Sequence, residues 1–309
     1  MRNRIDEEIT FRKLEVLLAY METGNLGKAA EALDLSTVSV HRALHSLEQG
    51  MRCTLFRHEG RNLNPTDAAR VLADAAREAI SAMTEGIRAT REAAGYSSNR
   101  LRIGSMYSLT TRAVPSVLID LKVRRPLLEV ELSLGSNAAL LERLKLGELD
   151  AVLMAMPHPD PELASVPLFE DALFFAAPAG SKYAGRTEVD LGECRGERFV
   201  TLADGFATSK NFDDAFRIAG FTPEVTMRTG DIFSLMNLVS GGVGCTLLPG
   251  RVRGAFGDKV ELIPLTAQYD MRQTIALSFR RARERDPNLL ALLAVCRLSA
   301  PLGAVSSNL

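Results

Sequence analysis

Leu26-Gly27-Lys28-Ala29-Ala30-Glu31-Ala32-Leu33-Asp34-Leu35-Ser36-Thr37-Val38-Ser39-Val40-His41-Arg42-Ala43-Leu44-His45-Ser46-Leu47-Glu48 is the stretch on which the fold turns. It reads as a short helix, a tight turn and a second helix, with the small residues Ala29 and Ala30 letting the two helices cross closely. At 100 degrees per residue, Val40, Ala43, Leu44 and Leu47 gather on one side of the second helix. Thr37, Val38, His41, Arg42 and His45 gather on the other. Ser36 is placed to cap that helix. An ordinary amphipathic pair has the same spacing, so this segment alone leaves DNA binding at even odds with simple packing.

Working outward, helical spacing of apolar residues extends back to Phe11, which implies three short helices before about Leu47. Downstream, Leu55-Phe56-Arg57-His58-Glu59-Gly60-Arg61-Asn62-Leu63-Asn64-Pro65-Thr66 has hairpin character, with Arg57, His58 and Arg61 around a glycine turn. A basic hairpin beside such a helix pair suits a wing gripping phosphates. From Asp67 to about Ala94 a long helix is expected, with Leu72, Ala76, Met83 and Ile87 as its apolar stripe. Another copy of the same helix is the simplest partner for that stripe. Gly95-Tyr96-Ser97-Ser98-Asn99 then reads as a linker.

Beyond the linker, short apolar runs alternate with helical patterns. Strands are expected at Leu101–Gly104, Val130–Leu134, Ala151–Met156, Leu173–Ala177, Phe199–Leu202, Val225–Arg228 and Gly244–Leu248. Helices are expected at Thr110–Lys122, Ala138–Leu146, Asn211–Ala219 and Ile232–Val239. The alternation predicts parallel α/β sheets, with two similar sheets fitting the length. The last ten residues, Ala300 to Leu309, offer little to pack.

Composition narrows the function classes. The 309 residues carry 37 basic and 38 acidic side chains, so any nucleic-acid contact must come from local patterning. Cys53, Cys194, Cys245 and Cys296 lack the close pairs of a zinc site or disulfide framework. The acidic turn at Met1-Arg2-Asn3-Arg4-Ile5-Asp6-Glu7-Glu8 is unlike a signal peptide, and no apolar run approaches a membrane span. A soluble, cytoplasmic protein without membrane association is expected.

The order of helix, turn and recognition helix ending in Leu47-Glu48, followed by Leu55-Phe56, Gly60-Arg61, Thr66 and Ala68, resembles the N-terminal domain of LysR-type transcriptional regulators. Leu101-Arg102-Ile103-Gly104, Gly147-Glu148-Leu149-Asp150-Ala151-Val152-Leu153 and the glycine-rich strand from Val239 to Pro249 resemble the effector half of the same family. The likeness spans nearly the whole chain. Val38 to His45, Arg52-Cys53 and Gly60-Arg61-Asn62-Leu63 are most similar to the malonate-utilisation (MdcR-type) branch. His41 and His58 depart from the Ser and Arg usual at those places, which makes contacts there more pH-sensitive and leaves operator preference open.

The resemblance implies an α+β multidomain chain: a winged helix-turn-helix (1–66), a linker and dimerisation helix (67–94) and a periplasmic-binding-protein-like α/β effector domain (95–309). Its two subdomains are expected at about 100–172 with 273–300, and at about 173–272. It implies a regulator that binds a pseudo-palindromic site in double-stranded DNA as a homodimer or homotetramer, senses a small carboxylate such as malonate, and has RNA polymerase as a further partner. Neither catalytic residues, cofactor nor metal is expected.

DNA contacts are expected from Ser36, Thr37, Val38, His41, Arg42, His45, Arg57, His58 and Arg61. For the effector, strand ends and helix starts in an interlobe cleft single out Ser105, Tyr107, Ser108, Ser136, Asn137, Met154, Thr208 and Asp231. Plain N-capping competes for Ser108 or Thr110 and explains Asp231 well. Lys210 and Arg228 suit the rim, for a dianion or for solvent.

Other signals point away from chemistry. Gly241-Gly242-Val243-Gly244 precedes a strand and lacks a nucleotide loop's third glycine. His41, His45, His58 and His158 are too dispersed for zinc, and Pro157-His158-Pro159-Asp160-Pro161 reads as a stiff turn. Cys194 is either a redox thiol or, more simply, an ordinary one. The competing function is a cytosolic α/β solute-binding protein or enzyme whose N-terminal helices only dimerise, which leaves Arg42, Arg57 and Arg61 without a shared purpose.

Overall fold

Short polar side chains start the first three helices. Thr10 accepts from Lys13 N before α1 (Phe11–Thr23), Asn25 from Gly27 N and Lys28 N before α2 (Leu26–Ala32), and Ser36 from Ser39 N before α3 (Thr37–Met51). Gly24, at φ +61°, closes α1 in the left-handed conformation that glycine adopts without strain. The computed structural model describes residues 5–59, 62–93 and 99–299. These fall in two compact units, Met1–Ser97 and Ser98–Leu309.

In the first unit Ala29 and Ala30 are buried with Leu17, Val40, Leu44 and Leu47, so the small residues do let the helices approach. The hairpin follows as β1 (Phe56–Glu59) and β2 (Asn62–Pro65), antiparallel with Phe56 opposite Pro65. Tyr20 fastens it, donating to Leu63 O at 2.6 Å and meeting the Phe56 ring edge-on. The helix α4 (Asp67–Ala93) has 27 residues, a rod of about 40 Å. Its apolar stripe divides. Ala69, Ala73 and Ala76 are buried in the unit's core with Leu72 beside them, whereas Met83 and Ile87 are exposed. The expected linker at 94–98, the turn residues Gly60 and Arg61, and the tail from Ala300 lie outside the described residues.

The second unit has β3 (Arg100–Ser105), α5 (Ala113–Arg124), β4 (Glu129–Leu134), α6 (Asn137–Lys145) and β5 (Ala151–Ala155), then a 16-residue strand, β6 (Leu163–Pro178). Next come β7 (Arg198–Leu202), α7 (Ala207–Ala219), β8 (Glu224–Thr229), α8 (Ile232–Ser240) and β9 (Thr246–Pro249). The chain continues with β10 (Val260–Pro264), β11 (Arg272–Arg280) and α9 (Pro287–Ser299).

The expectation of two parallel sheets needs correcting. β3 is parallel to β4 and β5, and β7 to β8, but β11 runs antiparallel between β5 and β6, and β9 and β10 are antiparallel to β6. One seven-stranded mixed sheet results, in the order β10-β6-β11-β5-β3-β4 with β9 also on β6, beside the two-stranded β7-β8.

The long strand is the reason. Residues Leu163–Ala172 of β6 pair with β11, while Leu173–Pro178 pair with β9 and β10, so one strand serves two lobes. Apolar side chains of 101–169 and 275–296 form one core, and those of 173–271 form two others. The apolar pattern reveals only the second half of β6. Pro167 argues against a paired strand, and it is accommodated at an irregularity: Ile275 faces Phe169, Ala276 faces Pro167, and Leu168 is skipped.

The Gly147-Glu148-Leu149-Asp150 stretch is structural. Gly147 has φ +73°, and a Cβ there would meet the Arg280 guanidinium at 2.9 Å. Asp150 accepts from Arg102 N at 2.7 Å and pairs with Arg102 and the buried Arg283. Burial pushes the Asp150 carboxyl up, but the Arg102 hydrogen bonds and the Arg283 charge outweigh it and hold the group below its usual range.

Candidate nucleic-acid interface and effector groove

On α3 the packing residues Val40, Leu44 and Leu47 are buried, and Thr37, Val38, His41, Arg42 and His45 are exposed, as is Ser36 at the cap. Val38 leaves 65% of its surface in water, an unusual place for a β-branched apolar residue unless something covers it. Arg42 has no ion-pair partner among the described residues, so its guanidinium is available. His45 is engaged on its own helix, with ring nitrogens 3.4 Å from Glu48 Oε2 and 3.4 Å from Gln49 Nε2. Glu48 has a second task that sequence reasoning missed. Its Oε1 accepts from Leu55 N at 2.9 Å and Phe56 N at 3.1 Å, tying the hairpin's first strand to α3.

The hairpin presents Arg57 to solvent, with His58 opposite Leu63 in the ladder. Arg61 falls among the residues not described. An exposed cation on the hairpin and a polar ridge with one apolar member on α3 suit, respectively, a phosphate and the mixed edges of base pairs.

In the second unit a groove of about 710 Å³ lies between the lobes. Its first bank is built from the start of α6 (Asn137, Leu141), the end of β5 (Met154) and the turn through His158. Its second bank is the loop and first turns of α7, Asp204 to Ala207 with Ser209, Lys210 and Asp213. The two banks touch at one point: Asn137 Oδ1 accepts from Ala207 N at 2.9 Å, and Gly205 O accepts from Ala138 N at 3.1 Å. The Asn137 oxygen thus occupies a backbone donor in the first turn of α7. Phe206, the residue before α7, offers no capping side chain of its own, so beyond Ala207 N that helix start keeps donors and the partial positive charge that favour a carboxylate. Lys210 is exposed on the same turn, whereas Lys145 is taken by Asp160 at 2.6 Å.

The structure distributes the expected effector residues over three environments. Asn137 and Met154 line the groove. Ser136 and Asp231 cap helices, Ser136 accepting from Ala139 N and Asp231 from Phe233 N and Ser234 N. Burial pushes the Asp231 carboxyl up, yet the Ser234 hydroxyl and the two amides leave it below its ordinary value. Ser105 and Ser108 of one lobe and Thr208 of the other are buried. Ser105 donates to Met106 O, and Tyr107 packs against the core of the opposite lobe.

Ser108 and Thr208 belong to a buried network that sequence reasoning missed. Arg251, in the short turn after β9, donates through Nη1 to Asp171 Oδ2 (2.9 Å), through Nε to Ser108 Oγ (2.8 Å) and through Nη2 to Gln273 Oε1 (2.8 Å). Gln273 Nε2 donates in turn to Thr208 Oγ1 (3.2 Å) and Asn211 Oδ1 (2.8 Å). Asp171 and Gln273 stand opposite each other on β6 and β11, where both strands change lobes.

The discounted signals find structural uses. At Gly244 an added Cβ would lie 2.7 Å from Arg198 O, so that glycine permits β7 to approach. Burial pushes the Cys194 thiol up and that of Cys245 to about 12, the reverse of a reactive thiolate. Among the described residues, no group of three His, Cys, Asp or Glu side chains is placed to hold a metal, and no helix is long and apolar enough to cross a membrane.

An exposed reading helix with a basic hairpin, together with a two-lobed groove, defines a ligand-sensing DNA-binding protein. Comparison with known proteins is specific. Residues 11–70 match the bacterial regulatory helix-turn-helix protein model of the lysR family, and residues 94–300 match the LysR substrate binding domain. The chain is 47% identical over 303 residues to the malonate utilization transcriptional regulator of Klebsiella pneumoniae, covering 97% of this chain and 98% of that one. It is 26% identical to the transcriptional dual regulator OxyR of Escherichia coli over 88% of this chain and 90% of that one.

Among solved structures, full-length CbnR complexed with its target DNA aligns with TM-score 0.67 and 19% identity, covering 94% of this chain and all of that one. A full-length OxyR variant from Pseudomonas aeruginosa gives TM-score 0.67 at 18% identity over 97% of this chain and 99% of that one. The chain belongs to the LysR family: it is a DNA-binding transcription regulator with an effector-binding domain, and not an enzyme.

Proposed function

We propose that this protein is a cytoplasmic regulator that reads a pseudo-palindromic promoter site through the α3 ridge and answers to a small dicarboxylate, malonate above all, held in the interlobe groove. The observation that carries the DNA reading is the division of α3 into a packed side and a solvent side that includes Val38 and Arg42, which has no ion-pair partner among the described residues. Ser36 and Thr37, at the helix start, face phosphates. Val38, His41, Arg42 and His45 face base edges, with Val38 suited to a thymine methyl. Arg57, His58 and Arg61 of the wing grip the backbone.

Malonate is favoured because the K. pneumoniae relative is a malonate utilization regulator and because the groove has the required chemistry. The α7 amides beyond Ala207 N, which Asn137 already holds, and the Lys210 ammonium would receive one carboxylate. Asp160, Asp204 and Asp213 around the rim oppose a dianion elsewhere in the groove. The groove is far roomier than a three-carbon diacid, so binding draws the banks together, and the ligand acts only as far as it prefers that arrangement.

Pairing of chains is supported by the exposed Met83 and Ile87 on α4, and by the exposed Ile119 and Val123 of α5 and Leu132 and Leu134 of the edge strand β4. A dimer uses one such pairing and a tetramer both; RNA polymerase is the partner of the DNA-bound form.

The test is fluorescence polarisation on the chain's own upstream DNA, with and without malonate, over a range of salt. Sequence-selective binding that weakens with salt and shifts with malonate supports the proposal. Equal binding to scrambled DNA defeats the DNA half, and indifference to malonate at millimolar concentration defeats the ligand half.

A further inference from the structure

Arg251 is buried, and the groups around it come from four separate segments: Ser108 after β3, Asp171 on β6, Gln273 on β11, and Thr208 with Asn211 on α7 through Gln273. Ser108 belongs to the first lobe, α7 and Arg251 to the second, and Asp171 and Gln273 to the strands that pass between them. A buried guanidinium is tolerated only where its charge and donors are met. Here Asp171 meets the charge, and it also accepts from the Arg251 backbone N at 3.0 Å. Moving one lobe against the other breaks at least one of these bonds inside the protein, so the cluster favours one arrangement over its neighbours.

The second observation concerns α7. Phe206, Ala207, Ser209, Lys210 and Asp213 face the groove, whereas Thr208 and Asn211, three residues apart on another face, meet Gln273. Gln273 is therefore the polar link between the helix that borders the groove and the guanidinium that ties the crossing strands. Its amide uses both ends, oxygen to Arg251 and nitrogen to α7. A displacement of the first turns of α7 cannot leave Arg251 undisturbed while those bonds persist.

We infer that Arg251 is a latch holding the two lobes at their crossing strands, and that Gln273 is a positioning residue passing movement of α7 to that latch. The latch stands on the geometry alone. The relay rests on the reading of the groove as the effector seat. No side chain of the cluster need touch the ligand, so Ser108 and Thr208 act on effector response by fixing the lobes.

Hydrogen exchange on the full-length chain separates the two parts. Without ligand, Arg251→Met should quicken exchange of the amides at 171–174 and 272–274 by about tenfold or more relative to α9, since local opening is what the latch resists. Unchanged exchange there overturns the latch. Should Arg251→Met fail to fold, Ser108→Ala removes one strut and keeps the ion pair, and a smaller rise confined to the same amides is expected, with no rise overturning the latch.

With malonate, the wild-type chain should change exchange at those amides. Gln273→Leu should bind malonate within about threefold of wild type, because the groove keeps its donors, yet lose that change. An identical response in Gln273→Leu overturns the relay. Failure of the wild-type chain to bind malonate overturns the groove reading and the relay built on it, while the ligand-free comparison still decides the latch.

Discussion

The α3 ridge and the Arg251 cluster are both polar, and they are organised in opposite ways. On α3 the outward side chains Thr37, His41 and Arg42 stand in water, and Arg42 has no ion-pair partner among the described residues. Around Arg251 every donor of the guanidinium named above is directed at a partner, and the residue is buried. An exposed unpaired cation contributes little to stability and is free to bind. A buried satisfied one is costly to disturb and contributes through position. Surface and interior thus divide recognition from response, and the contrast is open to measurement.

The largest effect is expected inside. Asp171→Ala strands the Arg251 charge and should lower the stability of the effector unit by about 3–5 kcal/mol, read as a lower thermal midpoint, with the first unit's DNA contacts unaltered. A midpoint equal to wild type would erase the contrast.

On the surface, Arg42→Ala should leave stability within about 0.5 kcal/mol but cost about 1–3 kcal/mol of discrimination between cognate and scrambled DNA. Arg57→Ala should weaken both DNAs alike and reduce the salt slope by about one, which separates phosphate from base contact.

Acid sharpens the comparison further. Asp150 has its carboxyl held below the unfolded value, so its contribution is present above the unfolded range near pH 4 and is lost as pH falls through the depressed folded value. Asp150→Asn should therefore flatten the acid limb of the effector unit's stability curve. Denaturant titrations from about pH 2 to about pH 7 check this, and an unchanged acid limb would assign the acid sensitivity elsewhere.

The smallest effect is expected at Lys210→Ala. It is an exposed cation, and its loss should weaken malonate by up to about fivefold, the range of a screened charge pair, as read by calorimetry.

The same contrast explains what the sequence allows. Residues within one helix reveal their sides through a period of about 3.6, so Val40, Leu44 and Leu47 separate from Thr37, Val38 and Arg42 by counting. The capping roles of Ser36 and Asp231 are legible too, because a cap and its amides are two or three residues apart. Arg251 gives no such signal. Following Leu248-Pro249-Gly250, it resembles a solvated loop arginine, and its partners lie 80, 143 and 22 residues away.

The strands β6 and β11 are obscured for a related reason. Near the lobe boundary β6 carries Pro167, Glu170 and Asp171 and β11 carries Arg272 and Gln273, residues that interrupt an apolar run; Asp171 and Gln273 meet Arg251 there, and Arg272 pairs with Asp270. Glu48 escapes notice because its task is to hold Leu55 N and Phe56 N across a turn, a contact without periodicity.

The sharing of β6 has a thermodynamic consequence. Neither lobe can melt without stripping hydrogen bonds from a strand that the other lobe still needs, so heat should take them apart together, and calorimetry of the effector unit should record one endotherm whose van't Hoff and measured enthalpies agree.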